Sequence, residues 1–230
     1  MSRKYVTDAF RMAAIPLLPN SGTLRIAVVG AGPHEPELIA LSEIGPLDIE
    51  YFGIEDVQAS PMHPFDLNIE NDLVVREKFD LVLCSQVLEH VFDVSQGYSN
   101  LASLTKPGGL IWIGVPMSNF VHGSPDYYSA GYAPEFMSKL ADKNGHEIIT
   151  TGFLGSRRAY LSRHMAGIWF TDRQIQHPIL SYFGCEGNFS KKILHNIKLF
   201  PARIFLAMTS NVERGNRLHG TESWALVRTR

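Results

Sequence analysis

Compact apolar segments recur along the first two thirds of the chain and are separated by segments of mixed polarity. Residues 24–30, LRIAVVG, form a run that is rich in β-branched side chains and ends in glycine, which predicts a buried strand. Similar runs predict further strands or extended segments at 47–54, 62–67, 79–84, 110–116, 146–154 and 222–229.

Helices are predicted in the segments between these strands. Pro36 suits the first turn of a helix that continues to about Gly45, and Glu35 and Glu37 lie near the positive end of its dipole. Two further helices are predicted at 93–105, beginning at the N-cap Asp93 and ending at Lys-Pro-Gly-Gly, and at 133–144.

The alternation of strand and helix continues to residue 154 with short connections. It predicts an α/β fold, a doubly wound and mainly parallel sheet with helices on both faces. Residues 1–23 are interpreted as an N-terminal helical extension of a core over 24–154. Residues 155–221 break the alternation and are interpreted as a basic cap or insertion before the final strand at 222–230.

Composition excludes several classes of protein. With 45% hydrophobic and 19% charged residues, the chain has the balance of an ordered globular protein. No apolar run reaches the ~18 residues that a membrane-spanning helix needs. Asp8, Arg11 and Pro16 make the N-terminus a poor signal peptide, and two cysteines cannot build a disulfide framework, so we predict a cytoplasmic protein.

The net charge of −2 is unevenly distributed. Residues 1–150 carry −10, with 9 Lys+Arg and 19 Asp+Glu, whereas residues 151–230 carry +8, with 12 and 4. The two parts can dock on each other, or the basic part can meet an acidic partner. An apolar stripe at 193–204 is interpreted as the core of the cap or a homodimer contact, with peripheral membrane contact as the alternative.

Candidate ligand-binding residues follow the predicted strands. The turn Gly30-Ala31-Gly32-Pro33-His34 permits close approach of a ligand to the backbone, with a plain tight turn as the alternative. Glu55, 23 residues after Gly32, can accept two hydrogen bonds from a ribose diol, and its neighbour Asp56 can do the same. Asp66 can accept from an adenine amino group or can form a turn.

The strongest signal is the segment FDLVLCSQVLEHVFD at 79–93. With LRIAVVGAG before it and TKPGGLIWIGVP after it, this segment resembles class I S-adenosylmethionine-dependent methyltransferases over about residues 24–154. The resemblance implies a seven-stranded, Rossmann-like sheet and S-adenosylmethionine as cofactor. The residues it implies for cofactor binding are Gly30, Ala31, Gly32, His34, Glu55, Asp56, Asp66, Leu67, Ser85 and Gln86.

This chain departs from the family's pattern at two positions. Val28 stands where the family often has an acid, and His34 stands where a third glycine is usual. Some relatives bind a divalent metal through Glu-x-x-Glu-His, but here Gln86 replaces the first carboxylate of that motif, so we predict no metal.

The segment after the strand at 110–116 is polar and aromatic. His122 or His90 is the predicted general base, with Asp126 as the residue that orients it, and Tyr127 and Tyr128 are predicted to contact the acceptor. The alternatives are a loop packed by its tyrosines and, for His90, a role at the start of the next helix.

Together these residues predict methyl transfer from S-adenosylmethionine to a hydroxyl of a small molecule or saccharide. The basic C-terminal part suggests a nucleic-acid methyltransferase as an alternative. However, Ser-Gln-Val-Leu at 85–88 differs from the Asp/Asn-Pro-Pro-aromatic box of enzymes that methylate amino groups, so nucleic acid is not the expected partner. A second alternative, suggested by Val28 and His34, is a non-catalytic subunit that binds the cofactor.

Overall fold

The computed structural model describes residues 3–54, 61–71, 78–117, 125–154 and 222–230, and only the backbone at 3–5. Within these residues seven strands form one sheet. The strands are β1 Leu24–Val29, β2 Leu47–Gly53, β3 Met62–Pro64, β4 Phe79–Ser85, β5 Thr105–Pro116, β6 Glu147–Leu154 and β7 Glu222–Arg228.

Four α-helices lie among the described residues. They are α1 Arg3–Ala13, α2 Pro36–Leu41, α3 Val94–Leu104 and α4 Pro134–Lys143, and short 3-10 helices cover Ile15–Leu17 and Leu88–His90. The predicted cap at 155–221 lies outside the described residues. No helix in the described ranges is long and apolar enough to cross a membrane.

The strand order is β3-β2-β1-β4-β5-β7-β6. The first five strands of this order are parallel, and β7 runs antiparallel to both β5 and β6. The carboxyl ends of β1 to β5 therefore meet at one edge of the sheet, where ligands bind in open α/β folds. The predicted α/β, mainly parallel sheet is confirmed.

Each face of the sheet is covered by its own helices because successive side chains of a buried strand point to opposite faces. Val29, Phe52 and Cys84 belong to the apolar cluster that includes Tyr98 of α3 and Met137 of α4. Their neighbours Val28 and Leu83 belong to a second cluster, which includes Phe10 of α1. Both clusters are fully or almost fully buried, which explains why the sequences of the central strands are continuous apolar runs.

Two element boundaries differ from the prediction by four or five residues. Helix α2 ends at Leu41, and the amide of Ser42 caps it by donating to the Leu38 carbonyl at 3.0 Å. Strand β5 begins at Thr105, which pairs with Phe79 of β4. Further along β5, the Gly108 amide donates to the Thr229 carbonyl, and the Thr229 amide donates to the Gly109 carbonyl.

Candidate functional site

The glycine turn after β1 is packed closely against the loop after β4. Gly30 has a φ of +69°, in the left-handed region, and its amide donates to the Phe52 carbonyl at 2.7 Å. A Cβ atom on Gly30 would lie 2.8 Å from both γ-methyl groups of Val87. Glycine is therefore required here by both backbone conformation and space. Along the rest of the turn, Ala31 and Gly32 are half-buried, and His34 is exposed.

Gln86, directly after β4, has an uncommon backbone conformation. Its φ is +59°, and it is the non-glycine residue with a positive φ among those the structure describes. The Gln86 amide donates to the Gly114 carbonyl at 2.7 Å, which holds this conformation against β5. Non-glycine residues in the left-handed region cluster at ligand sites, and the exposed Gln86 lies at the predicted one.

The hydroxyl of Ser85 is engaged by a buried carboxylate. Ser85 Oγ donates to Glu37 Oε1 at 2.6 Å, and the indole Nε1 of Trp112 donates to the same oxygen at 2.8 Å. Glu37 is 0% exposed, and its Oε2 is buried with no hydrogen-bond partner. The sequence places Glu37 on the first turn of α2, but nothing in it indicates that this acid is buried or which groups it contacts.

Asp66 forms the turn that follows β3. Its Oδ1 accepts from the amide of Asn68 at 2.8 Å and from the Asn68 side chain at 3.2 Å. This is the turn-forming role that the sequence left open, and it occupies one of the two carboxylate oxygens. The side chain of Leu67 is only 5% exposed and packs in the core, so its main chain is the part that can reach a ligand.

Asn100 of α3 is hydrogen-bonded to the main chain of the loop that follows β3. Its amide Nδ2 donates to the carbonyl of Ile69 at 2.7 Å and to that of Leu67 at 3.2 Å. Asn68 also accepts from the Phe92 amide at 2.7 Å, which joins the loop after β3 to the loop after β4. The sequence did not single out these two asparagines, because only their long-range contacts distinguish them.

The ring of His90 is held by the loop that follows β5. Its Nδ1 donates to the main-chain carbonyl of Asp126 at 2.5 Å, and the ring packs edge-on against Tyr127 with 5.6 Å between centroids. Because a carbonyl only accepts, this bond selects the tautomer with the proton on Nδ1. In the neutral ring the lone pair then belongs to Nε2.

The segment 125–129 rests on the 3-10 helix that contains His90. The amides of Tyr128 and Ser129 both donate to the Glu89 carbonyl, at 2.9 and 3.2 Å. Tyr128 also donates its hydroxyl to Asp126 Oδ1 at 3.2 Å, and this hydrogen bond raises the pKa of Tyr128. The aromatic ring of Tyr128 meets that of Phe92 edge-on at 5.3 Å, and both side chains are exposed, at 48% and 77%.

Asp126 therefore holds His90 through its backbone, whereas its carboxylate contacts Tyr128.

Burial, and to a lesser extent the charge of Glu89, raise the pKa of the Cys84 thiol, which argues against a nucleophilic role for it. Among the described residues no three His, Cys, Asp or Glu side chains form a metal-binding group. Glu55, Asp56 and His122 lie outside the described residues.

Comparison with known proteins gives matches to parts of the chain. A family model described as a methyltransferase domain matches residues 49–111. The chain is 26% identical over 106 residues to a ubiquinone biosynthesis O-methyltransferase from Klebsiella pneumoniae, in an alignment that covers 42% of each chain. The aligned parts span less than half the length of the curated relatives it matches.

Solved structures share the fold over nearly the whole chain. A putative sarcosine dimethylglycine methyltransferase from Galdieria sulphuraria has a TM-score of 0.55 and 14% identity, and the match covers 99% of this chain and 84% of that one. For an S-adenosylmethionine-dependent methyltransferase from Archaeoglobus fulgidus the TM-score is 0.53 and the identity 16%, with coverages of 100% and 95%. The chain thus has the fold of S-adenosylmethionine-dependent methyltransferases, and its residues 49–111 match a methyltransferase domain.

Proposed function

We propose that this chain transfers a methyl group from S-adenosylmethionine to a hydroxyl group of a small molecule or saccharide. The observation that carries the choice of a hydroxyl is the bond from His90 Nδ1 to the Asp126 carbonyl, because it leaves Nε2 as the basic nitrogen. The partial similarity to a protein named as an O-methyltransferase supports the same choice.

The residues at the carboxyl edge of the sheet fit the cofactor. At Gly30 the absence of a side chain lets Val87 pack closely on the turn, and the next two residues, Ala31 and Gly32, are only half-buried. We assign the ribose diol to Glu55 or Asp56 and the adenine to the loop of Asp66 and Leu67. When bound, S-adenosylmethionine supplies an electrophilic methyl group on a sulfonium, and its thioether leaves uncharged.

His90 is the proposed general base. An alcohol is a weak nucleophile until its proton is removed, and Nε2 of a neutral imidazole can take that proton as the oxygen attacks the methyl carbon. The Asp126 carbonyl keeps the ring in the required tautomer and stabilises the imidazolium that results. A base of this kind contributes about 10²- to 10⁴-fold to the rate.

The acceptor is proposed to lie against the aromatic side chains beside His90. Tyr127 contacts the His90 ring, and the exposed rings of Tyr128 and Phe92 provide faces suited to a planar or sugar acceptor. Their fixed position, set by the hydrogen bonds to the Glu89 carbonyl, helps to align the acceptor with the methyl group.

The first experiment measures cofactor binding and methyl transfer separately. Calorimetry with S-adenosylmethionine should give saturable binding, and labelled methyl groups should pass to members of a panel of phenols, catechols and saccharides but not to amines. Absence of binding would refute catalysis by this chain alone. Binding without turnover on any hydroxyl acceptor would favour the non-catalytic alternative, and turnover on amines alone would refute the choice of a hydroxyl.

The second experiment tests the base. In His90→Asn the side-chain amide can still donate to the Asp126 carbonyl, but Nε2 is lost, so kcat should fall by about 10²-fold or more with little change in cofactor affinity. The matched control is His146→Asn. His146 directly precedes β6, which begins at the opposite edge of the sheet, where Glu147 pairs with Arg228 of β7. Equal kcat values for the two variants would move the base to His122 or to another group.

A further inference from the structure

The carboxylate of Glu37 is buried against Ser85, which ends β4, and Trp112 of β5. The residue is 0% exposed, and its Oε1 accepts hydrogen bonds from Ser85 and Trp112. Its Oε2 is also buried but accepts none. A buried carboxylate oxygen without a donor or a cation is destabilising, so its presence requires an explanation.

Glu37 lies close to the candidate cofactor site. It is on the first turn of α2, which begins a few residues after Gly30. Its partner Ser85 ends β4, and two residues later Val87 packs against the Gly30 backbone. Strand β4, which holds the carboxylate through Ser85, therefore leads into the loop that packs on the turn where the cofactor is proposed to rest.

Among the described residues no lysine, arginine or histidine pairs with Glu37. Strand β1 adds no charge here, because Ile26 and Val28 of this face are apolar and fully buried. The two donors to Oε1 are neutral groups that fix the carboxylate in place. Charges interact more strongly in a buried environment than in water, so a carboxylate at this position attracts a nearby cation strongly.

On the basis of the proposed function, we propose that Glu37 is the anionic group that recognises the ammonium of the cofactor's amino-acid part. Ser85 and Trp112 act as positioning residues for this carboxylate. No bond is made or broken in this role. It contributes to affinity and selects ligands whose amino-acid end carries an ammonium over adenosyl compounds that lack this end.

The test compares two ligands that both have an uncharged thioether sulfur but differ in this end. S-adenosylhomocysteine carries the amino-acid group, and 5′-methylthioadenosine does not. For Glu37→Gln, calorimetry should show weaker binding of S-adenosylhomocysteine by about tenfold to a hundredfold, the worth of a hydrogen bond to a charged group. Binding of 5′-methylthioadenosine should change by less than about twofold, since glutamine keeps the acceptor oxygen for Ser85 and Trp112.

Equal losses for both ligands, or no loss for either, would overturn the proposal and leave Glu37 with a structural role. If Glu37→Gln does not fold, the triple variant Glu37→Met, Ser85→Ala, Trp112→Phe removes the two donors with the acceptor and leaves no unsatisfied polar group. It should show the same selective loss. Failure of the unmodified chain to bind either ligand would instead count against the proposed function.

Discussion

Replacing Gly30 by alanine tests the close packing of the glycine turn on the loop after β4. The new Cβ atom meets two costs. The φ of +69° disfavours any residue with a side chain by about 1–2 kcal/mol. The 2.8 Å approach to both methyl groups of Val87 adds about 1–3 kcal/mol, the usual cost of overpacking. We expect the free energy of unfolding to fall by about 2–5 kcal/mol, the sum of these two ranges.

The chain offers a control that separates the two costs. Gly145 has a φ of +73°, almost the same as Gly30, but a Cβ atom there has no neighbour within 4 Å. Gly145→Ala should therefore show the conformational cost alone. The effect of alanine on the unfolded chain is common to both variants and cancels in their difference.

The assay is urea unfolding followed by the fluorescence of the three tryptophans and by circular dichroism, with coincident transitions as the condition for two-state analysis. In the double variant Gly30→Ala, Val87→Ala the steric part should be recovered, which gives a coupling energy of about 1–3 kcal/mol in the mutant cycle. Equal destabilisation by Gly30→Ala and Gly145→Ala, with no coupling to Val87, would refute the close contact between the two loops.

Three further predictions concern stability. Burial, and secondly the charge of Arg230, lower the pKa of His146, so the unfolded chain binds its proton more readily. The free energy of unfolding should therefore decrease as the pH falls below ~6.5, and the contribution of His146 to this decrease should be absent in His146→Gln. Identical pH profiles of stability for the two proteins would contradict this prediction. Asn100→Ala should cost about 1–3 kcal/mol in urea unfolding, since buried carbonyls lose their donor, and a neutral effect would argue against the anchoring of the loop after β3. Asp93→Ala should cost about 1 kcal/mol, while Asp93→Asn should retain most of the cap, and equal losses would speak against capping.

The order of elements was predictable because it depends on local patterns. Apolar runs marked most strands of the sheet, β3 was expected only as a short strand or extended segment, and alternation with helices indicated that most strands are parallel. The N-cap of α3 was also predictable: Asp93 Oδ1 accepts from the Gln96 amide at 3.0 Å, as the sequence position suggested. The place of β7 between β5 and β6 was not predictable, because strand order depends on pairing between distant segments.

The candidate site was predictable only in outline. Its position followed from the rule that loops at the carboxyl ends of parallel strands meet, and from the glycines of the turn after β1. The hydrogen-bond partners of the individual site residues could not be predicted from the sequence. Asp126 was expected to orient a histidine, but the residue number alone cannot tell that the main-chain carbonyl makes the contact and the carboxylate binds Tyr128.

Glu37 shows most directly what each level determines. Local sequence places this acid on the first turn of a helix, where exposed carboxylates are common because they interact favourably with the dipole. Its burial depends on Trp112, 75 positions away, which reaches it only when α2 packs on the sheet. Local pattern therefore determined the elements and the edge at which ligand binding is expected, whereas long-range packing alone decided which polar groups are buried together and which atoms they present.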